Sequence, residues 1–424
     1  MEKVHKCFNQ PRVVLIGLDS LQGLQTARIL AKRGVSVIAL AKDPKFYSCR
    51  TRVCEKIIIT DTESIGLIDI LEDIGQALSA RGVLYPCQDL NVLLISRHRS
   101  RLEPYYHIAL PDSGTVEMLI DKLRFYEFAD QHGLPIPETH ILRNPEDAEI
   151  ASRSIAYPCL LKPAFRSPEW NRRTPLKAFK AENPDKLLEL YCEYSPLTET
   201  MIVQQWIEGT DEHLYSCNCY FDRQGRALVT FVARKLRQWP PRTGQSCLGE
   251  ECRNDTVLEE TIRLFQLVNY RGLGYLEMKR DRISEKQYII EPNVGRPTGR
   301  SAIAEAAGVE LLYTMYCDLT GRSLPKNIVQ QYRGVKWIHL LRDLQSSFYY
   351  WRHGELTLAQ WWRSLRGKKT YAVLSLSDPA PFLSALWHGV VMTLKGAFRK
   401  RFAERTNDRL ESKSSRKERP CRST

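Results

Sequence analysis

Two oxygen-bearing side chains end an apolar run in the segment YIIEPNVGRPTGRS, residues 288–301. Because residues i and i+2 of a strand point to the same face, Glu291 and Asn293 would face one site. Glu277, in GYLEMKRD, lies on a preceding strand, which the short loop RISEKQ would place antiparallel to the second. Two carboxylates and an amide oxygen suit Mg²⁺, which takes oxygen ligands and often shares them with substrate phosphates. A pair of surface carboxylates on a hairpin explains this local spacing equally well.

Two lysines precede this hairpin in segments that could place their charges beside an anion. Lys122 lies near the start of a helix, in a segment that opens with the capping residues Asp112 and Ser113. Lys162 ends the apolar strand of PCLLKP. A lysine after a buried strand is costly unless its charge meets an anion such as phosphate. The segment MIVQQWIEGTDEH then gives an apolar strand, a glycine turn and two acidic residues.

The first element that must position these residues is a parallel sheet. Residues 12–43 contain an apolar strand, a turn, an amphipathic helix and a second apolar strand, which is a βαβ unit. Gly17 and Gly23 lie in its turn, but without the GxGxxG spacing of a dinucleotide site. The alternation continues to HIALP, so we predict a doubly wound α/β domain that ends near residues 111–113.

The chain from about residue 115 to residue 321 mixes helices with strands that look mostly antiparallel. These strands are predicted near residues 159–162, 201–207, 213–221, 227–236, 273–280 and 287–291. This pattern predicts an α+β body. After residue 332 aromatic residues accumulate, and residues 378–402 contain an apolar helix candidate that is too short to span a bilayer.

The ordered set of segments resembles the ATP-grasp superfamily. The segments that carry the resemblance are DKLRFYEFADQHGLPIPET, PCLLKP, IVQQWIEGTDEHLYS, ARKLRQWPPRTG, GYLEMKRD and IIEPNVGRPTGRS. ARKLRQWPP and EAAGVELLY are similar to the carboxylate–amine ligase branch that includes D-aspartate ligase. The resemblance implies four parts: a Rossmann-like pre-ATP-grasp domain (1–112), an ATP-grasp domain of two α+β subdomains hinged near 203–209 (113–325), a helical extension (326–402) and a basic disordered tail (403–424).

The resemblance also implies roles for the matching residues. Lys122 and Lys162 would bind the phosphates of ATP. A hinge formed by Gln204, Gln205, Trp206 and Ile207 would bind adenine, and either Asp211 or Glu212 would accept the ribose hydroxyls. One or two Mg²⁺ ions, with Mn²⁺ as an alternative, would be held by Glu277, Glu291 and Asn293. Four basic residues would line the cleft near the transferred phosphate or the carboxylate substrate: Arg296, Arg300, Lys235 and Arg237.

The implied reaction is an ATP-dependent ligation of a small-molecule carboxylate to a small-molecule amine. The carboxylate would be activated as an acyl phosphate, and the amine would then displace phosphate to form an amide. Such chemistry depends on positioning and charge neutralisation, which is why cations and metal ligands carry it. The sequence does not identify either substrate.

Two departures from the family pattern bear on this reading. The loop that usually covers the phosphates is rich in glycine, but residues 163–177 contain none. Arg166, Arg172, Arg173 and Lys177 could supply charge there instead, or the loop could be weakened and turnover low. Many members have Glu-x-Asn-x-Arg, whereas Arg296 comes one residue later, after a glycine.

Composition places the chain among ordinary proteins with two or three domains. It has 424 residues, 43% hydrophobic and 26% charged, and no apolar stretch of membrane-spanning length. The N-terminal residues have no apolar core of a secretion signal, so we expect a cytoplasmic location. The 12 cysteines are then expected to be reduced thiols, and the close pairs Cys217/Cys219 and Cys247/Cys252 lack zinc-site spacing.

The net charge of +13 is concentrated at the C-terminal end, from Lys395 onward. A solvated disordered tail explains this run, and attraction to an anionic membrane or to nucleic acid is the sharper alternative. We expect no nucleic-acid partner, because no recognised module accompanies the tail. The apolar helix candidate fits either a helix packed on the body or an interfacial helix; in the second case, residues 381–401 would make peripheral contact with an anionic membrane surface, on its inner face.

The competing function is a non-catalytic or weakly catalytic ATP-binding regulatory protein, associated with envelope or polysaccharide synthesis. It would bind ATP without turnover. The complete set of Glu277, Glu291 and Asn293 argues for the ligase, because a protein that only binds nucleotide has less need of all three.

Overall fold

The computed structural model describes residues 10–165, 167–174, 176–242, 244–389 and 391. Its first layer is a parallel sheet of five strands: β1 (Val13–Ile16), β2 (Val37–Ala41), β3 (Lys56–Ile59), β4 (Gly82–Pro86) and β5 (Tyr106–His107). The strand order is β3-β2-β1-β4-β5. Four helices lie between these strands: α1 (Leu21–Lys32), α2 (Gly66–Gln76), α3 (Asp89–Arg97) and α4 (Arg99–Leu102). All of β1 is buried, as expected for a parallel strand covered on both faces, and the predicted doubly wound sheet is confirmed.

Two consecutive helices lead out of this domain, α5 (Ser113–Ile120) and α6 (Lys122–Gln131). The Asp112 carboxylate caps α5 by accepting from the Thr115 N–H at 2.9 Å. Asp121 starts a new helix in the same way, accepting from the N–H of Leu123 at 2.9 Å. Lys122 therefore occupies the first turn of α6 rather than the middle of one long helix.

A small antiparallel sheet follows, formed by β6 (Thr139–Leu142), β7 (Cys159–Pro163), β8 (Phe179–Ala181) and β9 (Met201–Gln205) in the order β6-β9-β7-β8. Its helices are α7 (Pro145–Ser154), α8 (Pro168–Arg173) and α9 (Pro184–Tyr194). This sheet carries Lys162 on β7 and the start of the predicted hinge on β9.

The largest sheet has seven strands: β10 (Leu214–Phe221), β11 (Ala227–Trp239), β12 (Gln245–Glu251), β13 (Gly272–Arg280), β14 (Gln287–Val294), β15 (Lys336–Ile338) and β16 (Lys369–Tyr371). Their order is β14-β13-β10-β11-β12-β15-β16. Helices α10 (Asp255–Leu267), α11 (Ala302–Ala307) and α12 (Leu311–Leu319) accompany it. Sequence reasoning missed β12, whose QSCLGEE has little of the β-branched or aromatic character typical of strands.

The C-terminal extension is not purely helical. It contains α13 (Leu340–Arg352) and α14 (Leu358–Ser364), but β15 and β16 add two strands to the large sheet. Residues 380–389 are also helical. Among the described residues, no helix is both long enough and apolar enough to cross a membrane. The predicted basic tail, residues 403–424, lies outside the described residues. Residues 390 and 392–401 of the segment 381–401 also lie outside them.

One hydrophobic core joins parts of the chain that the sequence separates. Leu15 of the parallel sheet, Phe231 of the large sheet, Met315 of α12 and Trp337 of the extension belong to the same buried cluster. This buried cluster contains residues from both sides of the predicted domain limits. The limits themselves stay predictions.

Candidate functional site

The centre of the candidate site is a pair of carboxylates on neighbouring strands. Glu277 on β13 lies directly opposite Glu291 on β14, and the two strands are antiparallel neighbours, as the short loop predicted. Desolvation within the cleft and the negative charge of Glu277 raise the pKa of Glu291, although its side chain stays open to solvent. Among the described residues, no side chain forms a hydrogen bond or an ion pair with Glu291. Glu291 therefore presents a carboxylate without a partner to the cleft.

Glu277 is held by the cations around it. Lys235 Nζ on β11 lies 3.1 Å from Glu277 Oε2. Burial alone would raise the pKa of Glu277, but the positive charges of Lys235, Arg300 and Arg296 outweigh that effect and lower it. Glu277 is thus ionised over a wider pH range than Glu291, so the two carboxylates differ in proton affinity.

These residues fit a divalent cation through their oxygen donors. Glu277 and Glu291 are hard ligands of the type that Mg²⁺ takes, and their mutual repulsion is relieved by a cation between them. The buried Asn293 already accepts from Arg296 Nη2 at 2.5 Å, but an amide oxygen has a second lone pair. In the part of the chain that the structure describes, no group of three or more His, Cys, Asp or Glu could hold a metal.

Arg296 is turned toward the N-terminal domain. Its guanidinium pairs with Asp89 at the start of α3 and donates to the Tyr275 hydroxyl at 2.8 Å. Burial would lower the pKa of Arg296, but Tyr275 and Asp89 raise it. The preceding Gly295 makes this turn possible: its φ is +68°, and an added Cβ would lie 2.4 Å from Leu110 Cδ2. The conformation of Gly295 is thus compatible with the contact of Arg296 with Asp89, beside the parallel sheet.

Arg300 keeps a donor free. The side chain is only 5% exposed, and its Nη2 donates to Ser216 Oγ at 2.8 Å. Its Nη1 is buried without a hydrogen-bond partner among the described atoms. Burial lowers the pKa of Arg300, and the charge of Glu277 opposes that effect. A buried donor without a partner is costly, so this group is suited to an anionic ligand.

The two predicted phosphate lysines lie on one side of the carboxylate pair. Lys162 Nζ donates to Gln204 Oε1 at 2.8 Å and to the Tyr126 hydroxyl at 3.1 Å. Lys122 is open to solvent, yet desolvation by the cleft walls and the charge of Lys162 lower its pKa, against the opposing effect of Glu291. Lys122 therefore lies close enough to Lys162 and Glu291 for their charges to change its pKa.

The predicted hinge continues from the end of β9. Gln205 N–H donates to Glu138 O at 2.9 Å, and Ile207 O accepts from Lys279 Nζ at 2.7 Å. The Trp206 ring has two ammonium groups near it, with Lys180 Nζ at 5.0 Å and Lys279 Nζ at 5.1 Å from its centroid. Trp206, which was predicted for the adenine hinge, is a half-buried ring that carries two cation–π contacts.

Two predicted residues are engaged elsewhere. Asp211 is buried and accepts from the backbone and side chain of Gln238, at 3.0 and 2.7 Å, and from the Tyr350 hydroxyl at 2.8 Å. Arg237 forms a bidentate ion pair with Asp343, at 2.8 and 3.1 Å. The structure does not bring either of them to the carboxylate pair. Of the two ribose candidates, only Glu212 has an exposed side chain.

Comparison with solved structures identifies the architecture. The N5-carboxyaminoimidazole synthetase of Staphylococcus aureus matches with a TM-score of 0.59 at 15% identity, covering 76% of this chain and 80% of that chain. The biotin carboxylase domain of the Hydrogenobacter thermophilus 2-oxoglutarate carboxylase, in complex with MgADP, ADP and bicarbonate, matches with a TM-score of 0.58 at 15% identity, covering 76% and 73%. The chain has an ATP-grasp fold.

Comparison with curated sequences confirms the resemblance to the ligase branch. The D-aspartate ligase of Enterococcus faecium (strain Aus0004) is 27% identical over 238 residues, which are 53% of this chain and 55% of the relative. The chain thus spans about half the length of this relative. No protein-family model matches the sequence.

The segment after Lys162 has no glycine in residues 163–177, and part of it is helical. It forms the short helix α8, capped by Ser167, whose hydroxyl accepts from Trp170 N–H at 3.0 Å. Trp170 is fully buried and fixes the helix to the small sheet. The charge of Lys177 contributes to lowering the pKa of Lys122, so it lies in the same neighbourhood. Arg172 and Arg173 are exposed, and Arg166 lies outside the described residues.

Several residues of the ATP-grasp cleft escaped sequence reasoning. Asp89, Lys180 and Lys279 had no signal of their own, because each is an ordinary charged residue in an amphipathic or strand segment. Ser216 could have been found from strand alternation, because it lies opposite Glu277 in the register of β10 and β13.

Proposed function

We propose that this chain is an ATP-dependent ligase that joins a small-molecule carboxylate to an amine. The observation that carries the proposal is the opposed pair of Glu277 and Glu291, set among cations and beside the unpartnered Nη1 of Arg300. A site with a free donor, several cations and an unpaired carboxylate suits a polyanionic substrate accompanied by a metal ion. The similarity to D-aspartate ligase supports the same reaction class.

In this proposal ATP lies between the two antiparallel sheets. Lys122 and Lys162 hold the phosphates, and the charge of Lys177 assists in place of backbone amides. The hinge of residues 204–207 holds adenine, with the Lys279 contact fixing the Ile207 carbonyl. Glu212 accepts the ribose hydroxyls, since the oxygens of Asp211 already have donors.

Glu277 and Glu291 would hold Mg²⁺, with the Asn293 oxygen as a further donor. When bound, the ion neutralises charge on the phosphate oxygens. Lys235 keeps Glu277 ionised and in place through its 3.1 Å contact. Arg296, whose guanidinium is shared among Asp89, Tyr275 and Asn293, orients Asn293 rather than binding substrate.

The chemistry proceeds in two steps. A substrate carboxylate oxygen attacks the γ-phosphorus of ATP, the bond to the β-phosphate oxygen breaks, and an acyl phosphate and ADP form. The amine nitrogen then attacks the acyl carbon, phosphate leaves, and the nitrogen loses a proton. Arg300 Nη1 donates to the carboxylate or to the phosphate that forms on it, where charge-assisted hydrogen bonds are strongest.

A second candidate function is ATP binding without turnover, in service of regulation. The observation that favours it is the phosphate-side loop, which contains α8 and no glycine. A loop anchored by a buried tryptophan closes over phosphates less readily than a glycine-rich one.

The deciding experiment measures ADP release with Mg²⁺ and ATP across a panel of amino acids and small carboxylates. The wild type is compared with Glu291→Ala and with Glu259→Gln, an exposed carboxylate on α10. Turnover that requires an acid–amine pair, vanishes in Glu291→Ala and persists in Glu259→Gln supports the ligase. Tight ATP binding without turnover on any pair supports the regulatory candidate instead.

Peripheral contact with an anionic membrane, on its cytoplasmic face, is the second part of the proposal. Leu383 and Trp387 are 59% and 72% exposed on the helical residues 380–389, and the basic flank follows them. Exposed apolar residues beside cations favour the boundary between headgroups and acyl chains. Flotation with anionic liposomes tests this contact: equal recovery of the full chain and of a chain lacking residues 381–401 would remove the idea.

A further inference from the structure

The C-terminal extension is bound to the cleft by a buried ion pair. Asp343, on the inner face of α13, is 1% exposed and pairs with both ends of the Arg237 guanidinium, at 2.8 and 3.1 Å. Trp361 Nε1 of α14 donates to the same carboxylate at 3.2 Å. Ser346, one turn further along α13, donates to the Gln238 carbonyl at 2.9 Å. The helix thus contacts the last residues of β11 through side-chain hydrogen bonds.

A second contact lies two turns along the same helix. The Tyr350 hydroxyl donates to Asp211 Oδ2 at 2.8 Å, and Asp211 also binds the backbone and side chain of Gln238. Burial and the neighbouring Asp211 raise the pKa of Tyr350, so its hydroxyl keeps the proton that it donates. Asp211 opens the 3₁₀ helix Asp211–His213, which directly follows the hinge segment.

These contacts join the extension to two segments that lie next to residues predicted to bind ATP or its metal ion. The hinge of residues 204–207 lies just before Asp211 in the chain. On β11, Lys235 lies two residues before Arg237 and makes the 3.1 Å contact with Glu277. Helix α13 therefore contacts both the segment that follows the hinge and β11, the strand that carries Lys235.

We propose that α13 is part of the nucleotide site, with Tyr350 and Asp343 as positioning residues. This inference rests on the proposed function, because it assigns the hinge and Lys235 to ATP. Tyr350 holds Asp211, and through it the hinge, in the conformation that receives adenine. Asp343 holds Arg237 in place. Because Arg237 and Lys235 lie on the same strand, β11, this contact also fixes the position of Lys235. Asp211 and Arg237 act through these contacts rather than by touching substrate.

The test uses the full chain and a variant that removes one oxygen atom. Tyr350→Phe should weaken ATP binding by about three- to tenfold, because a hydrogen bond to a charged acceptor is lost. The turnover rate at saturating ATP should change less than the KM for ATP. Tyr349→Phe is the matched control, since Tyr349 is its neighbour on α13 and its ring stacks on His353 instead.

A double-mutant cycle separates positioning from a general loss of stability. Tyr350→Phe combined with Asp211→Asn should weaken ATP binding no more than the stronger single variant, because both act through one contact. Wild-type ATP affinity in Tyr350→Phe, measured well below its unfolding midpoint, would overturn the inference. Failure of the wild type to bind ATP would instead reject the proposed function, and this inference with it.

Discussion

Two polar clusters on the large sheet differ in how completely their charges are paired. At the junction of α13 with β11, Arg237 and Asp343 form a buried ion pair and Asp211 accepts three hydrogen bonds. In the cleft, Arg300 Nη1 and Asn293 Nδ2 are buried without partners among the described atoms. Both clusters contain acids and arginines, so residue type alone does not distinguish them.

The difference separates a structural role from a binding role. Buried polar groups are nearly always hydrogen-bonded, and each exception costs about 1–3 kcal/mol. A junction in which each charge has a partner needs nothing further. A cleft that retains unpaired donors beside an unpaired carboxylate is stabilised only when a ligand supplies the missing partners. On this basis we expect Arg300 to bind a ligand and Arg237 to serve the junction; both were predicted for the cleft, and their roles stay predictions.

The largest expected effect is on the paired cluster. Asp343→Ala should lower the free energy of unfolding by about 3–5 kcal/mol, because it leaves the Arg237 charge buried without its partner. Urea unfolding of both proteins measures the change. The double variant Arg237→Met/Asp343→Leu removes both charges and should recover most of the lost stability. If the double variant were as unstable as Asp343→Ala, the buried charge would not be the cause.

Arg300→Met tests the unpaired cluster, with the opposite balance of effects. It should reduce ligase turnover by about 100-fold or more, as expected when a donor to developing negative charge is lost. The free energy of unfolding should change little, because removal of a buried donor without a partner offsets loss of the hydrogen bond to Ser216 and of the charge near Glu277. Arg253→Met, at an exposed arginine, is the control. A large loss of stability in Arg300→Met would assign Arg300 to the structural class.

Sequence reasoning reached the unpaired cluster and missed the paired one. The Glu277–Glu291 hairpin is local: strand alternation and a short loop were enough to predict that the two acids lie on adjacent antiparallel strands, and the register then sets them opposite each other. The partners of Asp211 and Arg237 come from Tyr350 and Asp343, more than 100 residues away, on an extension outside the resemblance. No periodicity predicts a contact of that kind.

The same limit applies to single residues. The resemblance implied that Arg296 faces the transferred phosphate or the carboxylate substrate, which stays a prediction, whereas the structure pairs it with Asp89 of α3. Only the three-dimensional packing of the two domains brings that acid to the cleft. The fold was predictable because ordered motifs and strand patterns span most of the chain, whereas charge pairing between distant elements depends on geometry that the sequence does not state.

The pH dependence of stability distinguishes the two carboxylates of the unpaired cluster. A raised pKa in the folded state means that Glu291 stabilises the fold below its unfolded pKa and that this contribution is lost as the pH rises through the folded value. Without metal at pH 7, Glu291→Gln should therefore have a slightly higher unfolding midpoint than the wild type. The difference should shrink as the pH falls, and Mg²⁺ should stabilise only the wild type. If Glu291→Gln and the wild type had the same unfolding midpoint at every pH, repulsion between Glu277 and Glu291 would be ruled out as a destabilising effect.

The smallest expected effects lie at the Trp206 ring, where two cations with different second partners can be compared directly. Lys279 contacts the ring and also donates to Ile207 O at 2.7 Å, whereas the exposed Lys180 contacts the ring and pairs with Glu182 at 3.0 Å, outside the hinge. An exposed cation–π contact is worth about 0.5–1 kcal/mol, so Lys180→Met should weaken ATP binding by about fivefold at most. Lys279→Met loses a hydrogen bond as well and should weaken it more. Equal effects of the two variants on the ATP dissociation constant would mean that the hinge carbonyl does not depend on Lys279, and that ring contact alone orders this end of the cleft.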